Sequence, residues 1–440
     1  MFKNQTLKKR DLYLNQLIAF QDTEPVKVIT GIRRCGKSSL LKLMIQHLLA
    51  GGVEPGQIIT MNFESMDYRG MTVEELYAYV KERILPDKRM YLFFDEIQRI
   101  IDWQDAINSF RVDFFCDIYV TGSNAHLLSS EISTYLTGRF VEIRMLPLSF
   151  KEFLDFHGFA VLEYKSPAGD LRRRVKDSEG NPYELNELFE AYMRFGGMPG
   201  IADVGLEQDK AWTLLDGIYN TVVVRDILER ERRRGQRQIT DPELLRKLVL
   251  YLADNIGNST SATTISNTLV SKGMLAERKR SGAPAVQTIQ AYVAALVESY
   301  IFYEIKRFDI KGKGYLSTLG KYYIVDTGLR NFLLGYRNMD IGHAIENIVY
   351  FELLRRGYDV AVGKIGDREI DFIATKVDEK RYLQVTENMD AETTRERELE
   401  PLRQIRDNFE KSVIVLDSHQ TVTQDGIKII KLLDFLLEEA

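Results

Sequence analysis

The sequence predicts an α/β fold built around a mostly parallel sheet, and two observations support this. Short apolar runs, separated by helical segments, recur at residues 26–30, 57–63, 90–94, 117–121 and 140–145. Strands that are apolar throughout and alternate with helices are typical of a parallel sheet covered on both faces. A second α/β pattern begins near residue 340, in the order helix, strand, strand, strand, helix, strand.

Composition excludes several classes of protein. The 440 residues carry a formal net charge of −5, so the chain is not basic throughout. Two cysteines cannot form a disulfide framework or a thiolate zinc site, and the five histidines show no metal-ligand spacing. No apolar run is long enough to span a bilayer, and no secretory signal is evident at the start. We therefore expect a cytoplasmic protein without a membrane partner.

The middle of the chain is predominantly helical. The pattern is helical from 185 to 255, interrupted by the turn-rich segment 194–200, and a hairpin is predicted at 301–325. The polar stretch 165–184 is predicted to be a loop or insertion. These patterns predict four regions, at residues 1–160, 161–240, 241–335 and 336–440.

The strongest motif predicts a phosphate-binding loop. Residues 31–38 (GIRRCGKS) match the pattern GxxxxGK[ST] between a strand and a helix. Glycines allow successive backbone N–H groups to face a phosphate, Lys37 neutralises phosphate charge, and the Ser38 hydroxyl is suited to Mg²⁺. A plain glycine turn before a core helix is the alternative, which the flanking strand and helix disfavour. The predicted nucleotide-binding residues are Gly31, Ile32, Arg33, Arg34, Cys35, Gly36, Lys37, Ser38 and Ser39.

A second strand ends in two carboxylates. Residues 90–96 (MYLFFDE) place Asp95 at the strand tip, suited to Mg²⁺, and Glu96 beside it, suited to act as a general base on water. The pair follows Lys37 with one complete strand between them, and this arrangement predicts ATP hydrolysis with Mg²⁺ as cofactor. An Asp-Glu pair that merely ends a strand is the structural alternative.

Two further residues are candidates for the same chemistry. Asn124, in TGSN after the fourth strand, is placed to reach the γ-phosphate or the attacking water, unless the segment is only a turn. Arg139, in YLTGRF, is a candidate arginine finger for a neighbouring subunit or a surface salt bridge. Arg33 and Arg34 either touch phosphate or face solvent.

Several motifs together resemble one family. The GIRRCGKS loop, FFDEIQ, TGSNAHLLS, LTGRF and LPLSFKEFL resemble AAA family ATPases of bacteria and archaea that carry a C-terminal domain of unknown function. RFGGMPG and YNTVVVRDI resemble segments of that partner domain. The resemblance covers nearly the whole chain and implies an AAA-like P-loop ATPase core that assembles into homo-oligomers. It leaves the physiological substrate open.

The segment 244–325 is predicted to form a winged helix. Its order is helix, helix, helix and a hairpin, the module in which the third helix enters the DNA major groove. Between 271 and 313 there are eight Lys and Arg residues against four acids, a local balance of +4. The predicted nucleic-acid contacts are Lys279, Arg280, Lys311 and Lys313. The alternative is a protein-binding winged helix with a solvated basic rim.

The C-terminal pattern resembles the restriction-endonuclease-like fold. Glu346 and Asp371 match two acids of its Mg²⁺ site, whereas Gln384 and Thr386 stand where active members carry an acid and a lysine. We therefore predict a degenerate fold without nuclease activity. A plain strand residue is the alternative for Asp371. The acidic segment 387–410 is predicted to be a solvated helix and not part of a site.

Two functions are consistent with these features. The first is an Mg²⁺-dependent ATPase that couples ATP binding and hydrolysis to DNA binding or remodelling, as an oligomer. The second is an ATP-gated regulatory switch that acts on a protein partner without DNA. An ATP-regulated nuclease is disfavoured by the missing lysine.

Overall fold

The computed structural model describes residues 7–123, 138–165, 171–221, 227–228, 239, 241–271, 286–312, 314–337, 340–417 and 422–438. The chain divides into two compact units. The first comprises Met1–Leu146 with Glu298–Tyr300, and the second comprises Pro147–Val297 with Ile301–Ala440. The region boundaries expected at 160, 240 and 335 stay predictions.

The first unit is built on a parallel sheet with the strand order β2-β3-β4-β1-β5. Its strands lie within one residue of the ends expected from the apolar runs, so the predicted α/β fold is confirmed for this part. The strands are β1 (Val26–Thr30), β2 (Ile58–Asn62), β3 (Met90–Asp95), β4 (Cys116–Thr121) and β5 (Phe140–Arg144). The helices are α1 (Asp11–Ala19), α2 (Lys37–Ala50), α3 (Val73–Lys81) and α4 (Trp103–Asp113).

Burial explains why these strands form. Every residue of β1 and β3 is buried. One face of the sheet packs against α3 and α4 through Leu76, Val80, Ile107 and Phe110. All strands run in the same direction, so the carboxyl ends of β1, β2, β3 and β4 meet at one edge. Polar side chains just beyond these ends are therefore brought together.

The second unit begins with helices and a small antiparallel sheet. The helices are α5 (Phe150–Phe156), α6 (Leu185–Phe195), α7 (Gly200–Val204), α8 (Gln208–Tyr219), α9 (Pro242–Asp254), α10 (Ala262–Ser271), α11 (Val286–Glu298), α12 (Thr327–Leu334), α13 (Ile341–Arg355), α14 (Glu392–Arg403) and α15 (Leu432–Leu437). The small sheet contains β6 (Ala160–Lys165), β7 (Leu171–Lys176) and β8 (Pro182–Tyr183).

The small sheet corrects the loop or insertion predicted for residues 165–184. In β7 the side chain of Arg173 pairs with Glu163 and Asp434, and Val175 is buried. Arginine therefore occupies a strand position that an apolar residue usually fills. The alternation of apolar and polar residues by which a strand is recognised is consequently weak here.

The remaining strands form one large mixed sheet with the order β16-β17-β15-β14-β13-β12-β10-β11-β9. They are β9 (Ser259–Thr260), β10 (Phe302–Asp309), β11 (Gly314–Ile324), β12 (Asp359–Ile365), β13 (Arg368–Lys376), β14 (Glu379–Asn388), β15 (Glu410–Asp417), β16 (Val422–Gln424) and β17 (Ile427–Lys431). The β10–β11 hairpin and the order α13-β12-β13-β14-α14-β15 agree with the sequence patterns. Because β10 pairs with β12, the sheet continues across residue 335.

The segment 194–200 shapes the junction between α6 and α12. The Asp326 side chain accepts hydrogen bonds from the backbone N–H groups of Gly197, at 2.6 Å, and Leu329, at 2.8 Å. Gly196 has a φ of +77°, and a Cβ there would overlap the Asp326 carboxyl group. The first glycine of the pair in RFGGMPG is therefore required for this close approach.

Candidate nucleotide site

The loop between β1 and α2 has the conformation that its glycines permit. Gly31 has a φ of +135°, and a Cβ there would overlap the carbonyl oxygen of Met145. Gly36 caps α2 with a φ of +104°. Both positions lie in a region of backbone conformation that side chains disfavour.

Side chains of the loop differ in exposure. Ile32 and Cys35 are fully buried, and Arg34 and Ser38 are exposed. Buried Ile32 and Cys35 anchor the loop to the fold.

The Lys37 side chain lies inside the loop and hydrogen-bonds to its backbone. Its side chain is buried, and its Nζ donates to the carbonyl oxygens of Gly31 at 3.0 Å and Ile32 at 3.1 Å. The ammonium group therefore lies at the centre of the phosphate-binding loop. Weak carbonyl partners of this kind can be exchanged for phosphate oxygens.

A buried arginine from outside the motif supports the loop. Arg10 Nη1 donates to the carbonyl oxygen of Cys35 at 3.0 Å and to that of Leu146 at 2.8 Å. Arg10 is 3% exposed. It thus joins the phosphate loop to the chain that follows β5.

Asp95 is held at the end of β3 by residues from the neighbouring strands. It accepts hydrogen bonds from Thr121 Oγ1 at 2.5 Å and from Asn62 Nδ2 at 3.0 Å. The Ser38 hydroxyl also hydrogen-bonds to it. Burial raises the pKa of Asp95, and the neighbouring Glu96 raises it further. The two predicted Mg²⁺ ligands, Ser38 and Asp95, therefore lie in contact.

Hydrogen bonds hold both the backbone and the carboxylate of Glu96. Its backbone is left-handed, with a φ of 56°, and its N–H donates to Thr121 Oγ1 at 2.9 Å. One carboxylate oxygen accepts from Ser123 Oγ at 2.6 Å, and the other accepts from Gln98 Nε2 at 2.5 Å. The carboxylate is therefore oriented beside Asp95 at the sheet edge.

Arg33 and Arg99 share one carboxylate. Arg33 Nη2 and Arg99 Nη2 both pair with Glu64 Oε1, which lies just beyond β2. Arg33 thus pairs with a carboxylate in the state described. One negative charge faces two positive ones, which leaves positive charge close to the phosphate loop.

Other predicted residues are placed differently or not described. Arg139 is exposed, and its carbonyl accepts from Val26 N–H at 2.9 Å, at the edge of the sheet opposite the phosphate loop. Lys311 is exposed in the turn between β10 and β11. The remaining predicted contacts lie outside the described residues, namely Asn124, Lys279, Arg280 and Lys313.

Residues that match the restriction-endonuclease-like pattern line a cavity in the second unit. Glu346, Asp371 and Gln384 line it, together with Glu398 from the acidic helix. Glu398 is buried, which corrects the prediction that segment 387–410 is a solvated helix throughout. Thr386 does not line the cavity.

Sequence reasoning missed several residues of the nucleotide site. Asn62 and Ser123 follow apolar strands just as Asp95 does, so the rule that identified Asp95 could have found them. Arg10 and Glu64 carry no local signal, because their partners are distant in sequence.

Comparisons with known proteins identify two parts of the chain. Residues 23–154 match a family model described as an AAA domain, and residues 186–340 match one described as a domain of unknown function. In the described part of the chain, no helix is long and apolar enough to cross a membrane.

Two uncharacterised proteins are similar over most of the chain. One from Haemophilus influenzae is 37% identical over 439 residues, covering 99% of this chain and 100% of that protein. One from Methanocaldococcus jannaschii is 30% identical over 382 residues, covering 85% of this chain and 77% of that protein.

Solved structures with some likeness include a Walker-type ATPase of Pyrococcus abyssi, with a TM-score of 0.46 and 18% identity. The match covers 74% of this chain and 95% of the Pyrococcus abyssi chain. The Aeropyrum pernix Orc1 protein, solved in complex with DNA, has a TM-score of 0.30 and 13% identity, covering 74% of this chain and 92% of that one.

An AAA domain matches the unit that carries the phosphate loop, and the relatives match nearly end to end. The chain therefore belongs to the same family as these two uncharacterised proteins, with an AAA-type ATPase domain followed by a domain of unknown function.

Proposed function

We propose that the protein is an Mg²⁺-dependent ATPase that couples ATP binding and hydrolysis to DNA binding or remodelling, as a homo-oligomer. The observation that carries the proposal is the convergence of Lys37, Asp95 and Glu96 at one edge of the parallel sheet. An ammonium group, a buried carboxylate and an oriented carboxylate are the groups that hydrolysis of a phosphoanhydride requires.

Binding of the phosphates is the task of the loop. ATP phosphate oxygens replace the carbonyl groups of Gly31 and Ile32 as partners of Lys37. Backbone N–H groups of the loop and the amino-terminal end of α2 supply further positive potential. Arg10 keeps the loop in place while this exchange occurs.

The residues present fit a magnesium ion. Ser38 and Asp95 are in contact, and Mg²⁺ is commonly held by one or two protein oxygens together with substrate phosphates. When bound, the ion neutralises charge on the phosphate oxygens. Among the described residues, no group of three or more His, Cys, Asp or Glu side chains is arranged to hold a metal alone. A site completed by substrate is consistent with that.

Glu96 accepts a proton from the attacking water in this proposal. Ser123 and Gln98 each donate to one of its oxygens, so the carboxylate has a defined direction. A carboxylate oxygen keeps further lone-pair positions for water when it accepts one hydrogen bond. Asn124 is proposed to contact the γ-phosphate from the adjoining segment.

The DNA part of the proposal is supported by the region of α9 to β11. Its order of three helices and a hairpin suits a winged helix, in which the third helix enters the major groove. The exposed residues of α11 include Gln287, Gln290 and Ala294, on one helical face. Glutamine amides can pair with adenine edges. Lys311 in the hairpin turn, with Lys279, Arg280 and Lys313, is proposed to contact phosphates.

Oligomer formation is proposed from the position of Arg139. It lies next to Val26, at the start of β1, whereas the phosphate loop follows the end of β1. Five strand residues at about 3.3 Å each separate the two by roughly 15 Å. Arg139 is thus suited to the nucleotide of a neighbouring copy and not to its own.

The test is the ATPase rate with and without single-stranded, duplex and branched DNA, with mass measurement in the presence of ATP. We expect DNA to bind and to change the rate. Lys311→Ala should weaken binding uniformly across sequences and lower the salt slope by about one. Lys210→Ala, on an exposed lysine outside this region, is the control. No DNA affinity at low salt, with or without ATP, would contradict the DNA role and favour the switch acting on a protein partner.

A further inference from the structure

The second unit contains a polar cavity of about 570 Å³. It is lined by side chains from α13, β13, β14 and α14. Its acidic residues are Glu346, Glu369, Asp371, Glu387 and Glu398, and its basic residues are His343, Arg368 and Arg397. Buried carboxylates repel one another and need cations or hydrogen-bond donors nearby.

Asp371 and Gln384, two side chains that a divalent metal would need, already accept hydrogen bonds from backbone N–H groups. Asp371 Oδ2 accepts from the N–H of Val385 at 2.9 Å. Gln384 has a single side-chain oxygen, and it accepts from the N–H of Asp371 at 2.7 Å, while its Nε2 donates to Glu398 at 3.2 Å. Gln384 thus presents an amide N–H₂ group to the cavity carboxylates, and such a group cannot ligate a metal. The metal implied by a nuclease-like fold does not fit these residues.

A lysine from outside the predicted motif lies among the carboxylates instead. Lys321, on β11, is buried, and its Nζ lies 3.1 Å from Glu346 Oε1 and 2.8 Å from Glu369 Oε1. The Tyr323 hydroxyl, two residues along the same strand, donates to Glu346 Oε1 at 2.5 Å. One face of β11 thus supplies both donors to Glu346.

The charge of Lys321 is maintained in this setting. Burial lowers the pKa of Lys321, but the nearby carboxylates of Glu346, Asp371 and Glu369 outweigh burial and raise it overall. Two arginines also pair with acids of this group. Arg397 pairs with Glu398 at 2.7 Å, and Arg307 lies 3.6 Å from Glu369.

We propose that the Lys321 ammonium group, which pairs with two carboxylates of the cavity wall, takes the place of a divalent metal between them. The carboxylates of Glu346 and Glu369 are held together by a cation that belongs to the chain. The C-terminal fold consequently needs no metal for its structure and does not cleave phosphodiester bonds.

The test is Mn²⁺ binding by the full-length protein without nucleotide, measured by electron paramagnetic resonance. The Asp95→Asn background removes the metal ligand of the nucleotide site. With Lys321 intact, we expect the Mn²⁺ to stay free. Lys321→Met in the same background removes the ammonium group from between Glu346 and Glu369 and should bind one Mn²⁺ at least about tenfold more tightly. Lys306→Met, on an exposed lysine of the neighbouring strand β10, should behave as the background does.

Two results would overturn the proposal. One is stoichiometric Mn²⁺ binding with Lys321 intact that is lost on Asp371→Asn. The other is a folded Lys321→Met protein that gains no Mn²⁺. If Lys321→Met does not fold, melting of the Asp95→Asn protein decides the matter. Equal melting temperatures in EDTA and in Mn²⁺ support the internal cation, and a higher temperature in Mn²⁺ contradicts it.

Discussion

The hydroxyl of Ser123 donates a 2.6 Å hydrogen bond to the carboxylate of Glu96. The two residues follow adjacent parallel strands, β4 and β3, so their contact depends on the register of the sheet. Thr121 strengthens the same link, because its hydroxyl contacts both the Glu96 N–H and the Asp95 carboxylate. The proposed base is therefore positioned by β4 as well as by its own strand.

Glu96→Gln should bind ATP normally and hydrolyse it at least about 100-fold more slowly. Glutamine keeps the shape of the side chain and the acceptor for Ser123, but it cannot take a proton from water. Steady-state kinetics and nucleotide binding by fluorescence measure both effects. Turnover at the wild-type rate would exclude Glu96 as the base.

Ser123→Ala should lower kcat by about 10- to 100-fold while KM stays the same. A hydrogen bond to a charged group contributes about 1.5–3 kcal/mol, and 1.36 kcal/mol corresponds to a factor of ten in rate. Ser123→Thr retains the hydroxyl and should restore most of the rate. Ser109→Ala, on a half-buried serine of α4, is the control. A loss that appears in KM and not in kcat would assign Ser123 to binding instead of positioning.

Features that depend on neighbouring residues were predictable from the sequence. The five strands of the first unit appear as continuous apolar runs, because both faces of the sheet are buried. The phosphate loop is recognisable because Gly31 and Gly36 adopt backbone conformations that favour glycine. Asp95 was found in the same way, because a polar residue directly after an apolar strand is visible in the local sequence.

Features that depend on long-range pairing were not predictable. Lys321 and Glu346 are 25 residues apart, and Arg10 and Leu146 are 136 apart. Nothing near Lys321 distinguishes it from a solvated lysine until the hairpin lies against α13. Likewise, Glu398 belongs to a helix rich in charged residues. Nothing in the sequence distinguishes its one buried carboxylate from the exposed ones.

Arg10→Met should weaken ATP binding and lower the free energy of unfolding by about 2–3 kcal/mol. The change leaves two carbonyl oxygens, of Cys35 and Leu146, buried without this donor, and hydrogen bonds from a charged group contribute about 1.5–3 kcal/mol. Urea unfolding and nucleotide titration measure the two effects. Lys9→Ala, on the exposed neighbour, is the control. Unchanged ATP affinity in the folded variant would show that Arg10 supports the fold but not the loop.

Mixing Arg139→Ala with Lys37→Ala subunits should restore part of the ATPase activity. Each variant alone should lose activity, by about 1,000-fold for the arginine if it stabilises the transition state. In a mixed oligomer, an intact phosphate loop from one subunit can meet an intact Arg139 from its neighbour. The rate is measured against the mixing ratio, with assembly checked by mass. No restoration in assembled mixtures would exclude a role for Arg139 in trans.

The second unit should lose stability as pH rises from about 4 to about 7, because the buried Asp326 carboxyl group loses its proton in that interval. Burial raises the pKa of Asp326 to about 6, although backbone N–H groups, including those of Leu329 and Gly197, oppose the shift. The folded state therefore binds the proton more tightly than the unfolded chain, whose carboxyl has a pKa of about 3.9. The added stability is fully present below about pH 4 and is lost as pH rises through 6.

The comparison of wild type with Asp326→Asn isolates this effect. Two pKa units correspond to about 3 kcal/mol, so wild type should lose up to that amount relative to the variant across the interval. Urea unfolding at a series of pH values gives the difference. Asp241→Asn is the matched control. Asp241 caps α9 by accepting from the backbone N–H groups of Glu243 and Leu244, but it is exposed. A difference that stays constant with pH would mean that the N–H donors of Gly197 and Leu329 offset the cost of burying the charge.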